Sequence, residues 1–171
     1  MHLEIAYWPD PVLLAGAKPV EKVDDHVRQV VAGMRHVMFG LQGVGLAAPQ
    51  VGIPLRIMLV CPTGAPGDER VMINPRLAPS GDTVVGEEGC LSFPGLYGRV
   101  PRARHVKVAY EDLDGRSHVL ELEGFVARIV QHEGDHLEGK VFIERMLPED
   151  RRDLEADLEA LRARFAAGPR R

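Results

Sequence analysis

The chain has 171 residues, 45% of them hydrophobic and 27% charged, which fits one globular domain over 1–171 with a single core. A formal charge of -4 leaves no basic footprint for DNA or RNA. No basic segment leads into an apolar stretch at the N-terminus, and no run approaches about 18 apolar residues, so the reading is a soluble cytoplasmic protein with no membrane partner.

The cysteines, Cys61 and Cys90, need no disulfide in a reducing compartment, and each thiol wants its own explanation. Seventeen arginines against four lysines point to a compositional bias of the genome more than to a function.

In chain order, Asp24 and Asp25 precede Val27, Val30, Val31, Met34 and Met38, an apolar stripe at helical spacing that ends near Gly40. Short β-type runs follow at 55–60, 71–73, 83–85 and 106–110. Asp114-Gly115 then supplies turn chemistry before a strand at 119–122. The stretch 124–139 predicts a second helix closed by Gly139, with Phe125, Ile129, His132 and His136 on one side. After Pro148 a third helix over about 149–167 carries Leu154, Leu158, Leu161 and Phe165 among charges. The expected class is α+β: mostly antiparallel β-sheets packed around a central metal-binding helix, with an N-terminal and a C-terminal helix.

His132-Glu133-Gly134-Asp135-His136 places two imidazoles one turn apart on that second helix, so both can reach one metal. Glu133 lies about 100° round from His132 and can handle a proton without occupying a coordination position. A catalytic site needs a third protein ligand and an open position for water. An endopeptidase of one familiar type would place a histidine at position 142, where Phe142 stands. Glu155 and Glu159 read as solvent partners of nearby arginines. Cys90 is the stronger candidate, because a thiolate suits a divalent transition metal. It lies in a glycine-flanked strand end, whereas Cys61 reads as a small buried hydrophobe. His2, His26, His36, His105 and His118 read as ordinary surface or packing residues. A third unusual segment, 43–50, is rich in small residues and ends in the amide of Gln50.

Taken together, the segments 43–50, 88–92 and 131–137 resemble the three signature motifs of peptide deformylases, in the family's order. The resemblance implies hydrolytic removal of the N-formyl group from the formyl-methionine of new polypeptides, by attack of metal-activated water. It implies Cys90, His132 and His136 as metal ligands, Glu133 as general acid/base, and Gln50 with the Leu91 N–H as oxyanion donors. It further implies one divalent ion, Fe2+ physiologically, while the same donors accept Zn2+, Ni2+ or Co2+. Val44, Phe125 and Ile129 are the candidate methionine pocket, Gly45 pairs with the peptide backbone, and Glu88 and Arg128 complete the substrate-binding set. Gly43, Gly45 and Gly89 suit a crowded centre that admits a formyl group and rejects an acetyl group. Arg128 departs from the apolar residue of the best-known bacterial members and resembles the form seen in organellar and some bacterial enzymes.

The alternatives are an HExxH-type zinc endopeptidase and a structural zinc module that only binds a partner. The expected partners are formyl-methionyl nascent peptides and, through Arg151, Arg152, Arg162, Arg164, Arg170 and Arg171 of the C-terminal segment, the ribosome surface. A monomer is expected.

Overall fold

In a computed structural model, which describes residues 1–168, the chain forms one five-stranded antiparallel sheet in the order β1-β2-β3-β4-β5. Its strands are Gly45–Ala47, Ile57–Val60, Arg70–Cys90, Phe93–Glu111 and Ser117–Glu123. The helices are α1 Asp25–Gly40, α2 Gly124–Leu137, α3 Pro148–Asp153 and α4 Glu155–Ala166, with short 3-10 turns at Pro11–Leu13, Ala48–Val51 and Phe142–Glu144.

α1 forms as its sequence predicts. The Asp24 side chain caps it by accepting from the Val27 N–H at 2.9 Å. Its stripe of Val27, Val30, Val31, Met34, Val37 and Met38 is buried against the β1–β2 end of the sheet, with Leu46, Ile57 and Leu59.

The largest departure from expectation is the hairpin. The separate short strands at 71–73 and 83–85 belong to one 21-residue strand, β3, which pairs along most of β4. Register shifts near Ile73/Arg76 and Ser80/Thr83 break the alternation that a sequence reading depends on, and Val84 and Val85 stay exposed. A third shift has functional weight. Gly89 pairs with Tyr97, but the next residue, Cys90, pairs with Phe93, so 94–96 bulge out beside the thiol.

α2 lies across the sheet and touches all five strands. Ala127, Ile129, Val130 and Leu137 pack with Met58, Val60, Met72, Val106 and Val108. Gln131 rivets the helix to β4: its amide donates to Ala103 O at 2.9 Å and its carbonyl accepts from the Ala103 N–H at 3.1 Å. Gly139 ends the helix at φ 73°, and a Cβ there would press on Leu14 O at 2.7 Å, so both backbone and space demand glycine.

The single C-terminal helix that the sequence suggests is two helices broken at Leu154. Asp150 of α3 is held by the Arg99 N–H at 2.7 Å and by its guanidinium. α4 then turns so that Leu158 and Leu161 join Trp8, Phe93 and Phe142 in a core beneath Cys90. Phe165, expected in the docking stripe, is 43% exposed. Among the described residues no helix is long and apolar enough to cross a membrane.

Candidate metal centre and active site

Cys90, His132 and His136 come together although 41 residues of chain lie between the cysteine and the first histidine. One donor atom of each lies within 4.8 Å of the others, and among the described residues this is the one cluster able to hold a metal ion. His136 Nε2 is 3.4 Å from Cys90 Sγ. His132 uses Nδ1 to donate to Glu88 Oε1 at 2.8 Å, which leaves Nε2 to converge with the other donors. One thiolate with two imidazoles is a donor set that suits a divalent transition metal and leaves coordination open. Among the described residues Glu133 Oε2 is buried without a hydrogen-bond partner, an acceptor left beside the donor cluster, and His136 Nδ1, the ring nitrogen not directed at Cys90, is unpartnered too.

Gln50, 1% exposed, faces the same point from the 3-10 turn after β1. Its carbonyl accepts from the Ala47 N–H at 2.9 Å, which fixes the amide with Nε2 towards Cys90 Sγ at 3.4 Å and Ser92 Oγ at 3.3 Å. The N-terminal segment straps this arrangement: the Ala6 N–H donates to Gln50 O and the Trp8 N–H to Ser92 O.

A cleft of ≈ 530 Å³ opens onto the centre, lined among others by Val44, Gly45, Gln50, Leu91, Phe125, Arg128, Ile129, His132 and Glu133. A Cβ on Gly45 would collide with the Glu133 carboxylate and stand 2.9 Å from Ile129 Cγ2, so this glycine lets β1 approach the helix. Glu88 also borders the cleft. Both oxygens accept from Arg102, Oε2 also from Arg128, and Oε1 also from His132. The carboxylate expected to touch substrate is thus engaged by three side chains, one of them His132.

Burial disfavours charge throughout this centre. It lifts Glu133 to about 7, mainly by desolvation. Burial also opposes ionisation of Glu88, but hydrogen bonds from His132 and Arg102 outweigh it and hold the group at about 2. On His132 burial opposes protonation, yet bonds with Cys90 and Glu88 raise its pKa well above the ordinary 6.5. Burial, with His132 beside it, keeps that of His136 well below that value.

The low Glu88 value has a consequence for acid stability. Its folded value lies below the ordinary 4.5, so its stabilisation is present above about pH 4.5 and is lost as pH falls towards about 2, of order 3 kcal/mol. Glu133, shifted upwards, runs the other way: its contribution is complete below about pH 4.5 and fades as pH rises through about 7. Glu88→Gln should therefore flatten the acid limb of a stability–pH curve measured by denaturant unfolding. An unchanged slope between pH 4.5 and 2 would contradict this.

Sequence reasoning missed Ser92, Asp135 and Arg102 as supports. Ser92 and Asp135 lie inside the motifs, next to the residues that drew attention. Arg102, 5% exposed, has no local signature: it lies on β4 and bridges Glu88 to Asp135, donating to Asp135 Oδ2 at 2.6 Å.

Fold and site together define a metal-dependent hydrolase. A family model described as "Polypeptide deformylase" matches residues 2–152. A peptide deformylase of Thermus thermophilus is 44% identical over 179 residues, spanning 95% of this chain and 90% of that relative. "Peptide deformylase 1B, chloroplastic/mitochondrial" of Arabidopsis thaliana is 40% identical over 166 residues; the match takes in 95% of this chain and 61% of the plant protein, less than two thirds of it. A solved peptide deformylase of Plasmodium falciparum matches with a TM-score of 0.94 at 36% identity, covering 98% of this chain and 100% of that one. The chain belongs to the polypeptide deformylase family. Its reaction is removal of the N-formyl group from new polypeptides, and these relatives give no support to an endopeptidase.

Proposed function

We propose that Cys90, His132 and His136 hold one divalent ion and that Glu133, Gln50 and Leu91 carry out deformylation of N-formyl-methionyl peptides around it. The observation that carries this reading is the convergence of the three donors within 4.8 Å beside a buried glutamate at the base of an open cleft. When bound, such an ion supplies Lewis acidity, making water nucleophilic near neutral pH. Fe2+ is the ion we expect physiologically, and Zn2+, Ni2+ or Co2+ fit the same donors.

With a pKa of about 7, Glu133 takes a proton from attacking water and returns it to the departing amine nitrogen at neutral pH. Gln50, fixed by the Ala47 N–H, aims its amide at the place where negative charge grows on the formyl oxygen, together with the Leu91 N–H. Val44, Phe125 and Ile129 receive the methionine side chain, and β1 at Gly45 pairs with the peptide backbone. Gln50→Ala should lower kcat by about 10²–10³ with metal content unchanged. A loss confined to KM would remove the oxyanion role.

The setting we infer is a cytoplasmic monomer acting on nascent chains. Ribosome docking through the C-terminal helices has a narrower basis than the sequence suggests. Arg151 pairs with Glu155, while Arg162 pairs with Glu159 and lies 4.8 Å over the Trp8 ring. Arg152 and Arg164 remain exposed, and Arg170 and Arg171 lie outside the described residues. Docking should therefore fall in an Arg152→Glu/Arg164→Glu variant, read by salt-dependent co-sedimentation with ribosomes.

The test of the metal reading is reconstitution of stripped protein with Co2+ or Fe2+. One ion per chain, a thiolate charge-transfer band lost in Cys90→Ser, and formate release rising in step with metal content are expected. A cobalt spectrum indifferent to Cys90→Ser would refute the ligand set.

A further inference from the structure

We infer that Arg128 is a specificity-determining wall of the side-chain pocket and, through Glu88, a positioning residue for the metal ligand His132; this rests on the deformylase reading above. A free arginine in a cleft would attract acidic side chains. Here the guanidinium is tied down instead. Nη1 donates to Glu88 Oε2 at 2.7 Å and Val100 O at 2.8 Å, and Nη2 to Val84 O at 2.8 Å. These acceptors come from both strands of the β3–β4 hairpin, so one side chain fastens the hairpin to α2.

Gly86 completes the device. A Cβ there would lie 3.0 Å from Arg128 Cζ and Nη2, so the space that a side chain on β3 would occupy is taken by the guanidinium. The pocket is thus bordered on this side by an arginine whose guanidinium donors are already taken by Glu88, Val84 and Val100. Its side chain is 13% exposed, enough to border the cleft without reaching into solvent. Such a wall fits a long uncharged side chain and gives no reward to an acidic one.

The second half of the inference follows from the shared carboxylate. Arg128 holds Glu88 Oε2, and His132 donates to Glu88 Oε1. Arg128 shares with Arg102 the carboxylate that orients His132, so pocket shape and metal retention are linked through Glu88. Lysine cannot reproduce this, because an ammonium has no planar fork to hold two strands and a carboxylate together.

The experiment compares wild type with Arg128→Met, Arg128→Lys and Gly86→Ala as metal-loaded full-length chains. It reads kcat/KM on formyl-Met, formyl-Ala and formyl-Glu tripeptides, the rate at which a chelator strips the metal, and Tm. Arg128→Met should lose at least about tenfold in preference for Met over Ala. It should also release metal about 10–100-fold faster. Gly86→Ala, which displaces the guanidinium without removing it, should shift both in the same direction, and wild type should disfavour formyl-Glu. A purely structural role would lower Tm alone. Selectivity and metal release within twofold of wild type in both Arg128→Met and Gly86→Ala would overturn the inference, as would wild-type preference for formyl-Glu over formyl-Met. If metal-loaded wild type turned over none of the peptides, the deformylase reading would fall, and the stripping rates would still decide the Arg128–Glu88–His132 linkage.

Discussion

Replacing Glu133 with alanine should leave a folded, metal-binding protein that turns over formylated peptides about 10²–10⁴ more slowly, or about 3–5 kcal/mol of barrier. Glu133 is 4% exposed, has one oxygen without a partner and is lifted to about 7, so near neutral pH it can both accept and return a proton. It does not belong to the donor cluster, so metal content should be retained in the variant. Glu133→Gln keeps the volume beside Gly45 and Ile129 and separates lost proton transfer from lost packing. Turnover near wild type in either variant, at equal metal content, would remove Glu133 from the chemistry.

The largest effect on stability is expected at Arg102. Its side chain is 4% exposed and donates to Glu88 and Asp135, whose side chains are 5% and 13% exposed. Arg102→Met would strand carboxylates in the interior, and removing one partner of such a buried pair costs about 3–5 kcal/mol. Denaturant unfolding of the metal-free protein measures this directly. Adding Glu88→Gln should recover part of the loss, because the two residues interact and their effects are not additive. A loss below about 1 kcal/mol would mean that Arg128 and Arg145 already satisfy both carboxylates.

Local chemistry was legible in the sequence wherever it repeats at short range. The α1 stripe and the pair His132/His136 follow from helical spacing alone, because a helix brings residues i and i+4 together whatever lies around it. Long-range pairing left no such trace. β3 and β4 contain Pro75, Pro79, Pro94 and Pro101, and their register shifts interrupt the two-residue period, so a long hairpin reads as fragments. The break at Leu154 was invisible because leucine there fits a continuous stripe equally well.

The same distinction governs the site. Cys90, Gln50 and the two histidines stand in local patterns, but what Glu88 does depends on Arg102 and Arg128, which reach it from β4 and α2. Resemblance assigns Glu88 to the substrate-binding set, and the packing adds a hydrogen bond to its carboxylate from His132 that no local pattern announces. A buried charge network is a property of the assembled fold, since each member is stable in the interior only when its partners arrive.

Formate release from a formyl-Met tripeptide, set beside acetate release from its acetyl counterpart under anaerobic Fe2+ loading, tests the central claim most directly. The account predicts rapid formate release, an intact acetyl peptide and no cleavage of internal peptide bonds. Equal rates on the two peptides, or cleavage within the chain, would contradict it.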